Sequence, residues 1–133
     1  MNYLLDTNIC IYLIKKKPES VFKRLQEITL NKIFISSVTV AELQYGVRKS
    51  AYPEKNKIAL DGFLKVFNVS SFDSEAAIEY GFIRSNLEKN GTPIGPLDTM
   101  IAAHAKSLGM TLVTNNAYEF KRVEGLDVEN WVE

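Results

Sequence analysis

The sequence predicts an α/β fold, a parallel β-sheet flanked by helices, and three observations predict it. Four short apolar runs, mostly rich in β-branched residues, have the length of strands: Tyr3 to Leu5, Ile33 to Ile35, a weaker one near Phe67 to Val69, and Thr111 to Thr114. Longer stretches with helical periodicity separate them. The resulting order, βαβαβαβ, calls for parallel strands, because parallel neighbours need helical crossovers.

The elements follow in order. The first run ends at Asp6, and the pattern from about Asn8 to Lys15 is helical, as is the next from Glu19 to Ile28. After the second run, Ser36 and Ser37 offer caps for a helix over Val38 to Lys49. Pro53 opens the next helical stretch, which runs to Val66, and another covers Ser74 to Lys89. The last long helix begins at Pro96, a residue suited to a first turn, and runs to Leu108, where Gly109 is a natural stop. The final run leads into Thr114, Asn115 and Asn116.

At 133 residues, with no repeat, low-complexity tract or Pro/Gly/Ser-rich linker, residues 1–133 are expected to form a single domain able to bury its own core. The balance of 46% hydrophobic and 24% charged residues is globular, and no apolar run has the length of a membrane span. The start, MNYLLDTNICIYLI, has no basic n-region and no small-residue cleavage site, so a cytoplasmic protein is expected. One cysteine, Cys10, and one histidine, His104, cannot supply a disulfide or a soft zinc site. The 16 basic and 16 acidic residues cancel, so any nucleic-acid contact must be local. The basic residues cluster mildly at positions 15 to 17 and around Arg48, Lys49, Arg84, Lys89, Lys121 and Arg122, and most read as solvated helix surface.

Open parallel sheets place their sites beyond the carboxyl ends of the strands, so the residues after each run carry the functional argument. Asp6 follows the first strand; it is either an N-cap or a ligand. Glu42 stands at capping-box spacing from Thr39, yet it shares a helix face with Val38 and Tyr45, where a carboxylate needs a partner. Asp98 lies in the first turn of a helix whose apolar series, Ile101, Ala102 and Ala105, turns that helix start toward the strand exits. Carboxylates gathered from separate segments repel one another unless cations enter. Hard oxygen donors without His or Cys suit Mg2+, with Mn2+ as a substitute. Such ions lower the pKa of a water, orient it toward a phosphodiester and stabilise the leaving oxygen, which implies metal-dependent phosphodiester hydrolysis.

The segments LLDTN, ISSVTVAELQYG, PIGPLDTMIAAHA and LVTNNAYEF, followed by VENW, occur in this order over essentially the full length. With them the chain resembles the PIN-domain ribonucleases, and within those the VapC toxins of bacterial toxin-antitoxin pairs. DTNICIYLIK, GTPIGPLD and TNNAYEF are especially similar to the enteric VapC branch, whose members cut initiator tRNA in the anticodon loop. The resemblance implies an α/β/α sandwich, a homodimer, a magnesium-dependent endoribonuclease acting on tRNA, and a VapB-type antitoxin that covers the active site. It also implies that Asp6, Glu42, Asp98 and a fourth acid form the catalytic set, that Asp6 and Asp98 hold metal, and that Asn8 supports Asp6 or a bound water. At the fourth position the family pattern is close to T-x-D, and Thr114 matches its first residue while Asn116 replaces its aspartate. Asn116 offers a metal only a weak carbonyl oxygen, so Glu119 is the expected substitute; Asn116 and Glu119 also fit a capping-box pair.

His104 lies six residues after Asp98, about 600° around the helix, and is read as packing or surface. Cys10 is read as a small buried side chain. Tyr45, Tyr80, Phe82 and Trp131 could stack on bases or serve the core or a dimer; Arg84, Lys89 and Arg122 are the candidate phosphate contacts. Two other functions stay open: a phosphatase with Asp6 as its nucleophile, and a non-catalytic binding module with a degenerate acidic site.

Overall fold

The structure is a computed structural model that describes residues 1–132. The chain runs β1 (Tyr3–Leu5), α1 (Thr7–Lys15), α2 (Glu19–Gln26), a 3-10 turn (Leu30–Lys32), β2 (Ile33–Ser36), α3 (Ser37–Lys49), α4 (Pro53–Leu64), β3 (Asn68–Ser70), α5 (Ser74–Lys89), α6 (Pro96–Leu108), β4 (Thr111–Val113), α7 (Ala117–Phe120) and β5 (Val128–Glu129). Among the described residues five strands form one sheet in the order β3-β2-β1-β4-β5, with every neighbouring pair parallel.

The side-chain alternation of a strand divides the core into two layers. Tyr3 and Leu5 point to one face, joined in register by Ile33, Ile35 and Val113, and are covered by Ile9 and Leu13 of α1, Val21 of α2, and Leu43 and Leu60. Leu4 and Leu112 point to the other face, against Ile83 and Leu87 of α5 and Ile101, Ala102 and Ala105 of α6. Both faces of the sheet are therefore covered, which is why β1 and β4 are continuously buried and not alternating. The result is the expected three-layer α/β/α arrangement.

The predicted elements are present with shifted ends. The third strand is Asn68–Ser70, one residue later than its apolar signal, because Phe67 packs on Phe63 with ring centroids 4.9 Å apart. The helix predicted to reach Ile28 stops at Gln26, where the N–H groups of Glu27 and Ile28 turn to carbonyls three residues back. Strand β5 is unforeseen; two residues, Val128 and Glu129, carry no periodicity, and their place is fixed by pairing with β4.

Strand β1 sits centrally, with β2 and β3 on one side and β4 and β5 on the other. The chain direction across the sheet reverses here, and the crevice at such a switch point, beyond the carboxyl ends of the strands, is the natural place for a site.

Candidate active site

Asp6 leaves β1 into this crevice. It is only 6% exposed, and both of its carboxylate oxygens are engaged: Oδ1 accepts the Ile9 N–H at 3.0 Å, and Oδ2 accepts the Thr114 hydroxyl at 2.5 Å. Asp6 is thus the N-cap of α1, and the cap leaves it tied to the end of β4. Thr114 accepts in turn the Asn116 N–H at 2.9 Å, so one buried hydroxyl orients Asp6 and shapes the turn after β4. Burial, first, pushes the Asp6 carboxyl up to about 6; the two hydrogen bonds oppose this, while Asp98 and Glu42 add to it.

Glu42 stands half-buried on α3, and the Thr7 hydroxyl donates to its Oε1 at 2.7 Å. The capping-box alternative for Glu42 does not form. Ser36 caps α3, its Oγ accepting the Val38 N–H at 3.0 Å, while the hydroxyl of Thr39 is buried without a partner among the described residues. Ser36 also meets His104 Nδ1 at 2.8 Å. His104 is therefore packing, as its helical phase implied; it is buried, its pKa is lowered by that burial, and it fastens α6 to the start of α3.

Asp98 occupies the first turn of α6, behind Pro96, and its carboxyl is raised by burial and then by Glu42 and Glu119. Glu119, on α7, is half-buried and close enough to act on Asp98 electrostatically. The structure thus gathers Asp6, Glu42, Asp98 and Glu119 around one cleft. Asn116 stands at the start of α7 without a side-chain cap bond, so its part in the turn comes through its backbone N–H. Asn8 does not bond Asp6; its amide reaches Asn115 Oδ1 at 3.4 Å, and Asn115 donates to the Tyr12 hydroxyl at 3.0 Å.

Sequence reasoning missed two of these positioning residues. Thr7 holds Glu42 and Asn115 holds the Tyr12 hydroxyl, and neither role shows in the local pattern. Their partners lie 35 and 103 residues away, and a pattern within one element carries no such signal.

None of the four carboxylates has a Lys or Arg ion-pair partner among the described residues. Acids without ion-pair partners in a half-buried cleft, with Asp6 and Asp98 raised by burial and by neighbouring carboxylates, fit a cation. No group of three or more acidic, His or Cys side chains among the described residues closes around one point. A hard cation held by one or two carboxylates keeps several of its waters and does not require such a closed set.

Of the candidate phosphate contacts, Arg84 and Arg122 reach the loop leading to Asp98: Arg84 lines a recess with Pro93, Ile94, Pro96 and Thr99, and Arg122 Nη1 donates to the Pro93 carbonyl at 3.2 Å. Lys89 stands instead with Ile78 and Phe82 on the outward face of α5.

The protein-family model described as PIN domain matches residues 3–126. The chain belongs to the PIN-domain family. Within that family it belongs with VapC. It is 48% identical over 131 residues to the tRNA(fMet)-specific endonuclease VapC of Shigella flexneri, covering 98% of each chain. A solved structure of VapBC2 from Rickettsia felis, bound to a DNA fragment from its promoter, is 45% identical over 99% of this PIN domain and 100% of that chain, with a TM-score of 0.93. A DNA-bound VapBC structure from Salmonella typhimurium superposes equally well, with a TM-score of 0.93 and 45% identity over 99% of both chains. PIN-domain nucleases are generally metal-dependent, and among the described residues no helix of this one is long and apolar enough to cross a membrane.

Proposed function

We propose that this PIN domain is the toxin of a VapBC toxin-antitoxin pair, a cytoplasmic, Mg2+-dependent endoribonuclease that stops translation by cutting initiator tRNA in its anticodon loop. The observation that carries the reading is the cleft itself: four carboxylates from four segments, without a Lys or Arg ion-pair partner among the described residues, two of which, Asp6 and Asp98, are raised first by burial and then by neighbouring acids, at the switch point of a parallel sheet. Full-length similarity to a tRNA(fMet)-specific endonuclease supports the substrate class, and similarity to chains solved in VapBC complexes supports a VapB-type antitoxin as partner. A homodimer and Mn2+ as a substitute ion belong to the same reading.

Asp6 and Asp98 are the residues that would hold Mg2+, with Glu42 and Glu119 beside them. When bound, the ion supplies Lewis-acid activation of a water and stabilisation of the leaving oxygen. The protein's part is preorganisation. Thr114 and the Ile9 N–H fix the Asp6 carboxylate, Thr7 fixes Glu42, and the rigid start of α6 fixes Asp98, so little reorganisation accompanies the reaction. Half-burial removes bulk water and strengthens every charge interaction in the cleft. Arg84 and Arg122, at the loop before Asp98, would take the phosphates of the incoming strand.

The phosphatase reading is not favoured. The full-length relative is named an endonuclease and not a phosphatase. The decisive experiment maps RNA 5′ ends in cells after brief induction, alongside cleavage by the purified protein with chelator and with Mg2+ restored. New ends in the initiator-tRNA anticodon loop, lost with chelator and regained with Mg2+, are expected; purified protein that cuts no RNA under any divalent ion points to the non-catalytic module.

A further inference from the structure

The acidic cleft does not end at its carboxylates. On α3, Glu42, Tyr45 and Lys49 follow at spacings of three and four, which place them along one helix face. Tyr45 is 67% exposed, and the Lys49 ammonium lies over its ring, 5.0 Å from the centroid. Facing them from the start of α6 are Leu97, which is 47% exposed, and Met100, on either side of Asp98 in the sequence. Together with Thr7 and Glu42 these side chains line a recess of about 630 Å3. Its two walls are the two helices that carry Glu42 and Asp98, so whatever fills it lies directly beside the candidate reacting centre.

An exposed tyrosine beside exposed Leu97 and half-buried Met100 is a poor surface for water and a good one for a flat, unpaired ring. We propose that this recess is a nucleobase subsite: one base next to the scissile phosphodiester leaves its stack, lies against Tyr45 between Leu97 and Met100, and has its phosphate met by Lys49. The inference rests on the ribonuclease reading and deepens it. Single-stranded loops are the RNA elements whose bases can be splayed onto aromatic side chains, and stacking of this kind tolerates several bases. The recess thus selects unpaired RNA over duplex, in which the same base is held inside the helix. A chain with no net charge has little bulk attraction for RNA, so a local stacking contact of this strength is a large share of what holds the strand in register.

The test uses a single-stranded RNA oligonucleotide that the wild-type protein cuts, and two versions with an abasic nucleotide on either side of the cut. Tyr45→Ala is expected to raise KM roughly tenfold with kcat nearly unchanged, the size of one lost base stack. Tyr45→Phe and Tyr45→Trp should restore wild-type KM, because the ring and not the hydroxyl is used. One of the two abasic substrates should lose the same factor with wild-type protein and lose nothing more with Tyr45→Ala. Tyr52→Ala, which removes a tyrosine of similar exposure at the start of α4, should leave KM unchanged. The inference is overturned if Tyr45→Ala keeps wild-type KM, if the abasic and Tyr45→Ala losses multiply, or if Tyr52→Ala costs as much. It is also overturned if light scattering shows that Tyr45→Ala breaks a larger assembly into smaller ones and added protein restores activity; the recess is then a contact with a second copy of the chain. Wild-type protein that cuts no RNA brings down the ribonuclease reading itself, an outcome distinct from a Tyr45 that does not matter.

Discussion

Asp6 is held in an environment that disfavours its charge, and this has a measurable consequence for folding. Its carboxyl titrates near 3.8 in the unfolded chain and is raised to about 6 in the folded one, chiefly by burial. The folded protein therefore holds this proton more tightly than the unfolded chain does. The stabilising contribution is complete below the unfolded pKa, declines as pH rises toward about 6, and is gone above it. At neutral pH and without metal, the ionised group costs about 3 kcal/mol of stability relative to acid conditions, and the raised Asp98 acts in the same direction. Asp6→Asn should therefore abolish cleavage and yet make the metal-free protein more stable by about 1 to 3 kcal/mol at pH 7.5, with the gain disappearing below about pH 4. Urea denaturation with chelator across that range measures it, and a variant less stable than wild type at pH 7.5 would contradict the assignment. Thr114→Val removes the hydroxyl that donates to Asp6 and accepts from Asn116; leaving both groups short of a partner should cost about 1 to 3 kcal/mol and move the acid limb of the pH-rate profile upward. Asp6 was legible in the sequence because a carboxylate closing an apolar run is conspicuous. The task of Thr114 was not, since a threonine ending a strand reads as strand and its acceptor lies 108 residues away.

Each acid is presented by an element whose local rules place it. Asp6 caps α1, Asp98 rides the favourable first turn of α6, and Glu42 lies on α3, which Ser36 caps and His104 braces. The capping and the chemistry do not compete, because each Asp6 oxygen accepts one hydrogen bond and keeps a second lone pair for a cation. The brace makes a prediction: Ser36→Ala removes a cap and strands a buried imidazole, so it should lower stability by about 1 to 3 kcal/mol while a folded population keeps most of its kcat. Thermal unfolding and active-site-normalised kinetics separate the two effects. The weakest presenter is α7, which spans Ala117–Phe120 and brings Glu119 toward Asp98. Glu119→Gln should reduce the cleavage rate less than Asp98→Asn does at saturating Mg2+, and more sharply when Mg2+ is limiting. A Glu119→Gln rate equal to wild type at limiting Mg2+ would remove Glu119 from the catalytic set. Long helices and their caps were legible because periodicity, Pro96 and Gly109 are local signals. The sheet order and β5 were not, because parallel pairing joins segments that are distant in sequence and leaves no mark within either.

At the scale of the whole molecule, the equal count of 16 basic and 16 acidic side chains constrains how RNA is held. Four of the acids lie in the cleft the strand must approach, so attraction has to come from a few cations placed at its rim. Arg84 and Arg122 stand at the loop leading into Asp98, and each also lies over a tyrosine ring, Tyr80 and Tyr118, which limits its freedom before any phosphate arrives. Lys49 lies on the other side, over Tyr45. Each phosphate neutralised on a single strand contributes a slope of about −0.7 to the log-log dependence of affinity on salt, so three to five contacts give roughly −2 to −4. Basic nucleic-acid-binding proteins that use many phosphates show much steeper slopes. Arg84→Ala and Arg122→Ala should each flatten the slope by roughly one contact, about 0.7, and weaken binding to cut and uncut sequences alike, because phosphate contacts carry no sequence information. Lys89→Ala should leave it unchanged, since Lys89 faces outward with Phe82 on the far side of α5. Anisotropy titrations of a catalytically dead Asp98→Asn variant over a series of salt concentrations read these slopes directly. A slope steeper than about −6 would mean that the strand follows a basic track formed elsewhere, for instance along residues 15 to 17, and that the cleft rim is not the principal site of phosphate attraction.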